Sequence, residues 1–214
     1  MPTPPEALLL IAPGCPHCPG VLARLSERVK QGRLARLEVV NAALLPERAA
    51  ELGVRSVPWT RIGPFELQGN LAEGEIDRWI DAAAADTGMD LYLAELLEQG
   101  GLARAEALVR AAPEHLPAVL GLLEAAEIPF NVRLGASALL EGLAGGDALR
   151  ALVPELARLA GHAEPRVRGD ACHLLGLAGD PAALPVLEQR LEDDDPEVRE
   201  IAAESIERLV PGNG

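Results

Sequence analysis

Apolar residues are distributed in two different ways along this chain, and the change comes near residue 87. Before it, short strand-like and helix-like patterns alternate. Glu6-Ala7-Leu8-Leu9-Leu10-Ile11 is a nearly continuous apolar run ending at Pro13-Gly14, which predicts a strand of a sheet covered on both faces. From Gly20 onward, Val21, Leu22, Leu25 and Val29 recur at helical spacing until Gln31-Gly32 breaks the pattern. Leu34 to Asn41 predicts a second strand, and Pro46 to Leu52 a short helix stopped by Gly53. Val57 to Ile62, a Gly63-Pro64 turn and Phe65 to Gly69 form a hairpin signature. Glu73 to Ala85 then puts Ile76, Trp79 and Ile80 on one helical face. This order predicts a four-stranded sheet flanked by helices, a compact α/β domain over residues 1–86.

After Thr87-Gly88 the strand patterns stop, and amphipathic helical patterns broken by Gly, Pro and Asp run from Asp90 to Val210. They repeat. Leu116-Pro117-Ala118-Val119, Val153-Pro154-Glu155-Leu156 and Leu184-Pro185-Val186-Leu187 open three first helices. The second helices align at Val132-Arg133, Val167-Arg168 and Val198-Arg199. Four and eight residues after each Val stand Ala136 and Leu140, Ala171 and Leu175, Ala202 and Ile206. The repeats are spaced by 31 to 37 residues, with Gly145-Gly146-Asp147 and Gly179-Asp180 at the breaks. This pattern resembles HEAT repeats, particularly the short variety of bilin-lyase-like bacterial proteins, and covers residues 103–210. The resemblance implies an all-α solenoid whose stacked helix pairs share one core. Residues 87–102 are expected as a linker helix and 103–214 as the helical repeats, with residues 89–112 less regular and capping the array.

Charge separates the two parts further. Of the net −14, residues 87–214 carry 22 acidic and 10 basic side chains, against 11 and 9 in residues 1–86. Nucleic acid is therefore not expected as a partner. A length of 214 residues with 49% hydrophobic residues suffices for packed cores. Three cysteines are too few for a secreted disulfide framework. The opening Met1-Pro2-Thr3-Pro4-Pro5-Glu6 has no basic n-region, and no apolar run approaches the roughly 20 residues of a membrane span. The expectation is a soluble cytoplasmic protein.

The chemistry concentrates at Cys15-Pro16-His17-Cys18, directly after the first strand and opening the first helix. A helix N-terminus presents unsatisfied N–H groups and partial positive charge, which favour a thiolate at Cys15. His17 can add charge or a hydrogen bond to the same end. Cys18, one turn along, is placed to resolve a mixed disulfide within the chain. Val57-Pro58 stands at the start of the third strand, where a proline is tolerated because it need not donate to the ladder.

With that pair in place, residues 6–85 resemble the thioredoxin superfamily, in particular its small, glutaredoxin-sized archaeal and bacterial members. In that family a cis-proline before the third core strand faces the Cys-x-x-Cys, and the backbone beside it pairs with substrate. The resemblance implies Cys15 as nucleophile, Cys18 as resolving cysteine, Pro58 as the cis-proline and Val57 as its substrate-binding neighbour. Two positions depart from the common pattern. Gly14 replaces the usual tryptophan, and Pro16-His17 replaces Gly-Pro. Pro-His resembles the oxidising periplasmic members, where it stabilises the reduced thiolate and raises the potential.

Other readings are weaker. A closed zinc site needs four ligands, and no second Cys-x-x-Cys or finger-spaced His pair exists, which leaves a metal shared between subunits as the alternative. Cys172 falls where Ser137 and Ala203 stand in the other repeats, so it is expected to pack in the core rather than serve redox chemistry. His115, His162 and His173 are expected at the surface or as caps. The run Glu192-Asp193-Asp194-Asp195 precedes Pro196 and is expected to complement a helix dipole. Arg133, Arg168 and Arg199 are expected to bond between adjacent repeats.

The expected function is a cytoplasmic thiol-disulfide oxidoreductase acting on protein disulfides through Cys15 and Cys18, with no cofactor beyond that redox-active pair. Its partners would be a protein client held by the solenoid and a reductase or other thiol electron donor. No nucleic acid or membrane partner is expected, and a homodimer is possible. The alternative is a non-catalytic scaffold whose cysteine pair senses redox state and controls binding.

Overall fold

The computed structural model describes residues 3–210, so the outer limits expected at residues 1 and 214 lie outside the described residues. The chain divides into two compact units, Met1–Gly88 and Met89–Gly214.

The first unit is built on strands β1 (Glu6–Ile11), β2 (Arg36–Asn41), β3 (Trp59–Ile62) and β4 (Phe65–Gln68) in the order β2-β1-β3-β4. β1 pairs parallel with β2 and antiparallel with β3, and β3 pairs antiparallel with β4. A parallel neighbour requires a crossover, which helix α1 (Cys18–Lys30) supplies between β1 and β2. Helices α2 (Pro46–Glu51) and α3 (Glu73–Ala85) complete the expected order. Leu9 and Ile62 are fully buried on the sheet face that carries α1 and α3, and Phe65 meets Trp79 there with ring centroids 4.6 Å apart. Arg28 fastens α1 to α3 through two hydrogen bonds to the Asp77 carboxylate, at 2.8 and 2.9 Å, and Arg33 joins the same carboxylate. These guanidinium donors hold the Asp77 carboxyl below the usual carboxylate range.

The opposite sheet face is covered over part of its length. Leu8, Leu10, Val40 and Trp59 pack there against Ala49 and Leu52 at α2. Beyond them Glu6, Arg36, Glu38, Arg61 and Glu66 line an open depression of about 430 Å³, because a six-residue α2 is too short to reach across.

The second unit is helical among the described residues: α4 (Met89–Glu98), α5 (Leu102–Ala111), α6 (Leu116–Glu124), α7 (Phe130–Glu141), α8 (Asp147–Arg150), α9 (Val153–Leu159), α10 (Pro165–Ala178), α11 (Leu184–Arg190) and α12 (Pro196–Leu209). The pairs α6/α7, α9/α10 and α11/α12 coincide with the three repeats read in the sequence. Proline occupies the first turn of α6, α9, α10, α11 and α12, where its missing N–H has no helical partner to lose. The stretch 87–102, expected as a linker helix and as part of a cap on the array, contributes α4 to this unit. Tyr92, Leu93, Leu96 and Leu97 form a buried stripe, and α4 packs on α6 and α7. Its apolar face needs a partner, and the first repeat provides one.

Two devices tie successive repeats. Helices α10 and α12 approach so closely that a Cβ on Gly176 would stand 2.7 Å from Ser205 Cβ and 2.9 Å from its Cα. Asp193, in the loop before α12, is 7% exposed and receives Arg168 Nε and Nη2 at 2.9 and 2.7 Å, with Arg190 at 3.3 Å. Arg168 also donates to the carbonyls of His162 and Ala163, and Arg199 repeats that motif on the carbonyls of Asp193 and Asp194. Arg168 thus bonds between repeats as expected, whereas Arg199 caps its own loop. Arg133 departs from both, because its Nε is buried without a hydrogen-bond partner.

The Asp193 carboxyl lies below the usual range because Arg168 hydrogen-bonds the charged form. Its contribution is present above the unfolded pKa of about 3.9 and is lost as pH falls through the lower folded value. Asp193→Ala should cost about 3 kcal/mol at pH 7 by stranding Arg168. In urea unfolding followed by circular dichroism, the gap to the unsubstituted chain should shrink below about pH 4. An equal gap at both pH values would show that charge is not what Asp193 supplies. Gly176→Val should cost about 2 kcal/mol, since a Ser205 backbone atom cannot move aside as a flexible side chain could.

Candidate functional site

The C-terminal end of β1 delivers the chain to Ala12-Pro13-Gly14, and Gly14 turns it with φ +78°, a conformation that favours glycine. The Cys15 N–H closes this turn on the Ala12 carbonyl at 3.3 Å. Helix α1 begins three residues later, with His17 at its N-cap position and Cys18 and Pro19 in its first turn. Cys15 and Cys18 are joined as a disulfide with Cα atoms 5.5 Å apart. The two sulfurs differ in access, since Cys15 is half-buried whereas Cys18 is 4% exposed. The backbone N–H of Cys18 points at Cys15 Sγ from 3.2 Å, so one of the orphan amides of the helix start serves the more accessible sulfur. Pro16 and His17 both stand exposed.

The Val57-Pro58 peptide is cis. Pairing of β1 with β3 puts Leu10 opposite Trp59, so one further register step brings Pro58 beside Ile11, at the sheet end where the Cys15 turn begins. The Gly69 N–H holds the Pro58 carbonyl at 3.0 Å, Pro58 is buried, and Val57 is half-buried.

A third segment reaches this end of the sheet, and sequence reasoning missed it. Beyond β2 the Ala42 N–H donates to the Ile11 carbonyl at 2.8 Å, and Asn41 folds the following turn by accepting from Ala43, Leu44 and Leu45. Leu44 is left 76% exposed and Leu45 47% exposed. Residues 11–16, 42–46 and 56–58 carry no charged side chain, although the chain as a whole carries −14. An adjacent Leu-Leu pair before Pro46, off the period of the short helix, was the available signal.

The remaining sites read in the sequence lie elsewhere. Cys172 is a free, fully buried thiol, and burial pushes its pKa up to about 11. His162 accepts from the Glu164 N–H at 3.1 Å, and His173 lies 3.3 Å from Glu141. Asp195 caps α12 by accepting from Glu197 and Val198, while Asp193 is taken up by Arg168. Among the described residues no group of three or more His, Cys, Asp or Glu is placed to hold a metal ion, and no helix is long and apolar enough to cross a membrane.

No curated protein matches this chain. Residues 7–81 match the family model of the thioredoxin domain, and residues 116–207 match that of HEAT repeats. The first match spans the sheet, the cysteine pair and Pro58, and the second spans α6 to α12 with the three helix pairs. Residues 7–81 thus form a thioredoxin-like domain and residues 116–207 form HEAT repeats.

Proposed function

We propose that the protein is a cytoplasmic thiol-disulfide oxidoreductase whose client is a protein. The observation that carries this reading is the inequality of the two sulfurs: Cys15 is accessible and served by a helix-start N–H, and Cys18 is buried directly behind it. In the dithiol form, the Cys15 thiolate attacks one sulfur of a client disulfide and expels the other as a thiolate. Cys18, deprotonated in turn, attacks Cys15 Sγ, breaks the mixed disulfide and releases the client as a dithiol. Two electrons pass to the client, and the protein is left with the Cys15–Cys18 disulfide. A thiol donor or reductase returns the pair to the dithiol, and the same steps run in reverse would oxidise a client dithiol.

The uncharged rim supports a protein client over a small charged thiol. Leu44, Leu45 and Val57 offer apolar surface to a polypeptide, and Pro58 shapes the edge on which its backbone would lie. The HEAT repeats add a surface for recruiting that client, which raises its effective concentration near Cys15.

Cys15→Ser should reduce insulin disulfides in dithiothreitol no faster than the uncatalysed background, and turnover above background would remove Cys15 as the nucleophile. Cys18→Ser should instead accumulate a mixed disulfide through Cys15, seen on non-reducing gels and reversed by dithiothreitol. If the unsubstituted chain shows no turnover and its partner affinity shifts between dithiol and disulfide forms, the scaffold reading replaces this one.

A further inference from the structure

The second helices of the three repeats, α7, α10 and α12, enclose two adjoining hollows of about 330 and 150 Å³. Both are lined by Gly169, Asp170 and Ile201, so they run together as one groove along α10. Its floor is apolar at Ile201 and Val198. Ile201 packs over Gly169, where an added Cβ would stand 3.2 Å from Ile201 Cδ1, and so forms the apolar surface of the groove. Its walls are acidic: Glu141 and Glu204 border one end, and Glu197 borders the other.

The cations nearby offset these walls only in part: His173 lies 3.3 Å from Glu141, while Glu197 forms no ion pair among the described residues. Arg166 is taken up by Asp170 at 3.3 Å and by the Leu123 carbonyl at 2.9 Å, where it caps the end of α6. Arg208 reaches Glu204 only at 3.8 Å. Burial holds the Asp170 carboxyl above the usual carboxylate range against the opposing pull of Arg166, Arg133 and His173. The surrounding unit, with 22 acidic and 10 basic side chains in residues 87–214, would steer a cation toward the groove.

We propose that this groove docks an extended, lysine- or arginine-bearing segment of a partner protein. The aliphatic stems lie over Ile201, and the cationic heads meet the exposed Glu141, Glu197 and Glu204. The inference rests on the reading of the HEAT repeats as the recruiting half, and it names the chemistry of what they recruit.

The test uses the full chain carrying Cys15→Ser, so that thiol exchange plays no part. Its probes are two fluorescent ten-residue peptides of alternating sequence, one lysine-alanine and one glutamate-alanine, followed by anisotropy. The lysine peptide should bind and the glutamate peptide should not. Glu141→Gln, Glu197→Gln and Glu204→Gln combined should weaken binding about tenfold, the sum expected of three exposed charge pairs. A control of equal charge, Glu114→Gln, Glu188→Gln and Glu192→Gln combined, should leave affinity within about twofold. All six positions are exposed, which keeps both triple variants foldable, and Asp170→Asn alone provides a second groove variant. Equal weakening by both triples would reduce the effect to overall charge and overturn the proposal, as would absence of lysine-peptide binding. Insulin reduction by the chain with intact cysteines is measured in parallel. Its loss with peptide binding retained would sink the redox reading and leave the groove standing.

Discussion

The site depends on one constraint, that β1 is hydrogen-bonded along both edges and buried on both faces. Leu9 and Leu10 point to opposite faces, and neither is reached by solvent. Burying two such side chains contributes on the order of 4 kcal/mol, and slipping the register by one residue would turn both to the wrong face. Because β2 runs parallel to β1 and β3 antiparallel to it, the end of β1, the end of β2 and the start of β3 meet at one edge of the sheet. The turn to Cys15, the Leu44-Leu45 segment and the cis Val57-Pro58 peptide are therefore neighbours by topology. None needs a dedicated contact to find the others, and the amide of Ala42 on the carbonyl of Ile11 only fastens what the strand order has brought together.

The second unit solves a different problem. A stack of short helix pairs has no long-range strand pairing to hold it, so each interface must supply its own cohesion. Between α10 and α12 this is done by removing side-chain bulk, with Gly176 against Ser205 and Gly169 against Ile201. Between the loops it is done by charge, with the Arg168 guanidinium forked onto buried Asp193. The two devices differ in their response to solution conditions. Contact at a glycine is indifferent to pH, whereas the Asp193 pair weakens in acid.

Periodicity carried most of the fold. The strands, the hairpin, α3 and all three repeat pairs follow from apolar spacing and from Pro and Gly at element ends. These are local signals that the tertiary structure did not override. Three features escaped because they are decided by what lies across the fold. Helix α4 lacks the Pro and Val-Arg marks of a repeat, and that it caps the array by packing its Leu93 and Leu97 stripe on α6 and α7 is seen only in the fold. Asp193 sits in an acidic run that suited a helix start, but Asp195 performs that task and Asp193 turns inward to an arginine 25 residues earlier. Leu44 and Leu45 were hidden because a strand end does not reveal whether its next residues turn in or out. At the site, the sequence disclosed the cysteines and Pro58, whose spacing and context are local, but not the uncharged rim around them.

Burial of Cys172 gives the protein a simple arithmetic. The folded chain holds three sulfhydryl positions, and one of them is sealed from solvent with a thiol reluctant to ionise. On the proposed redox reading, this buried thiol would not compete for an intermediate on Cys15, and the couple would exchange electrons in pairs. The sealed thiol also acts as a seal indicator. A reagent that counts accessible sulfur reaches Cys172 only when the repeats have come apart.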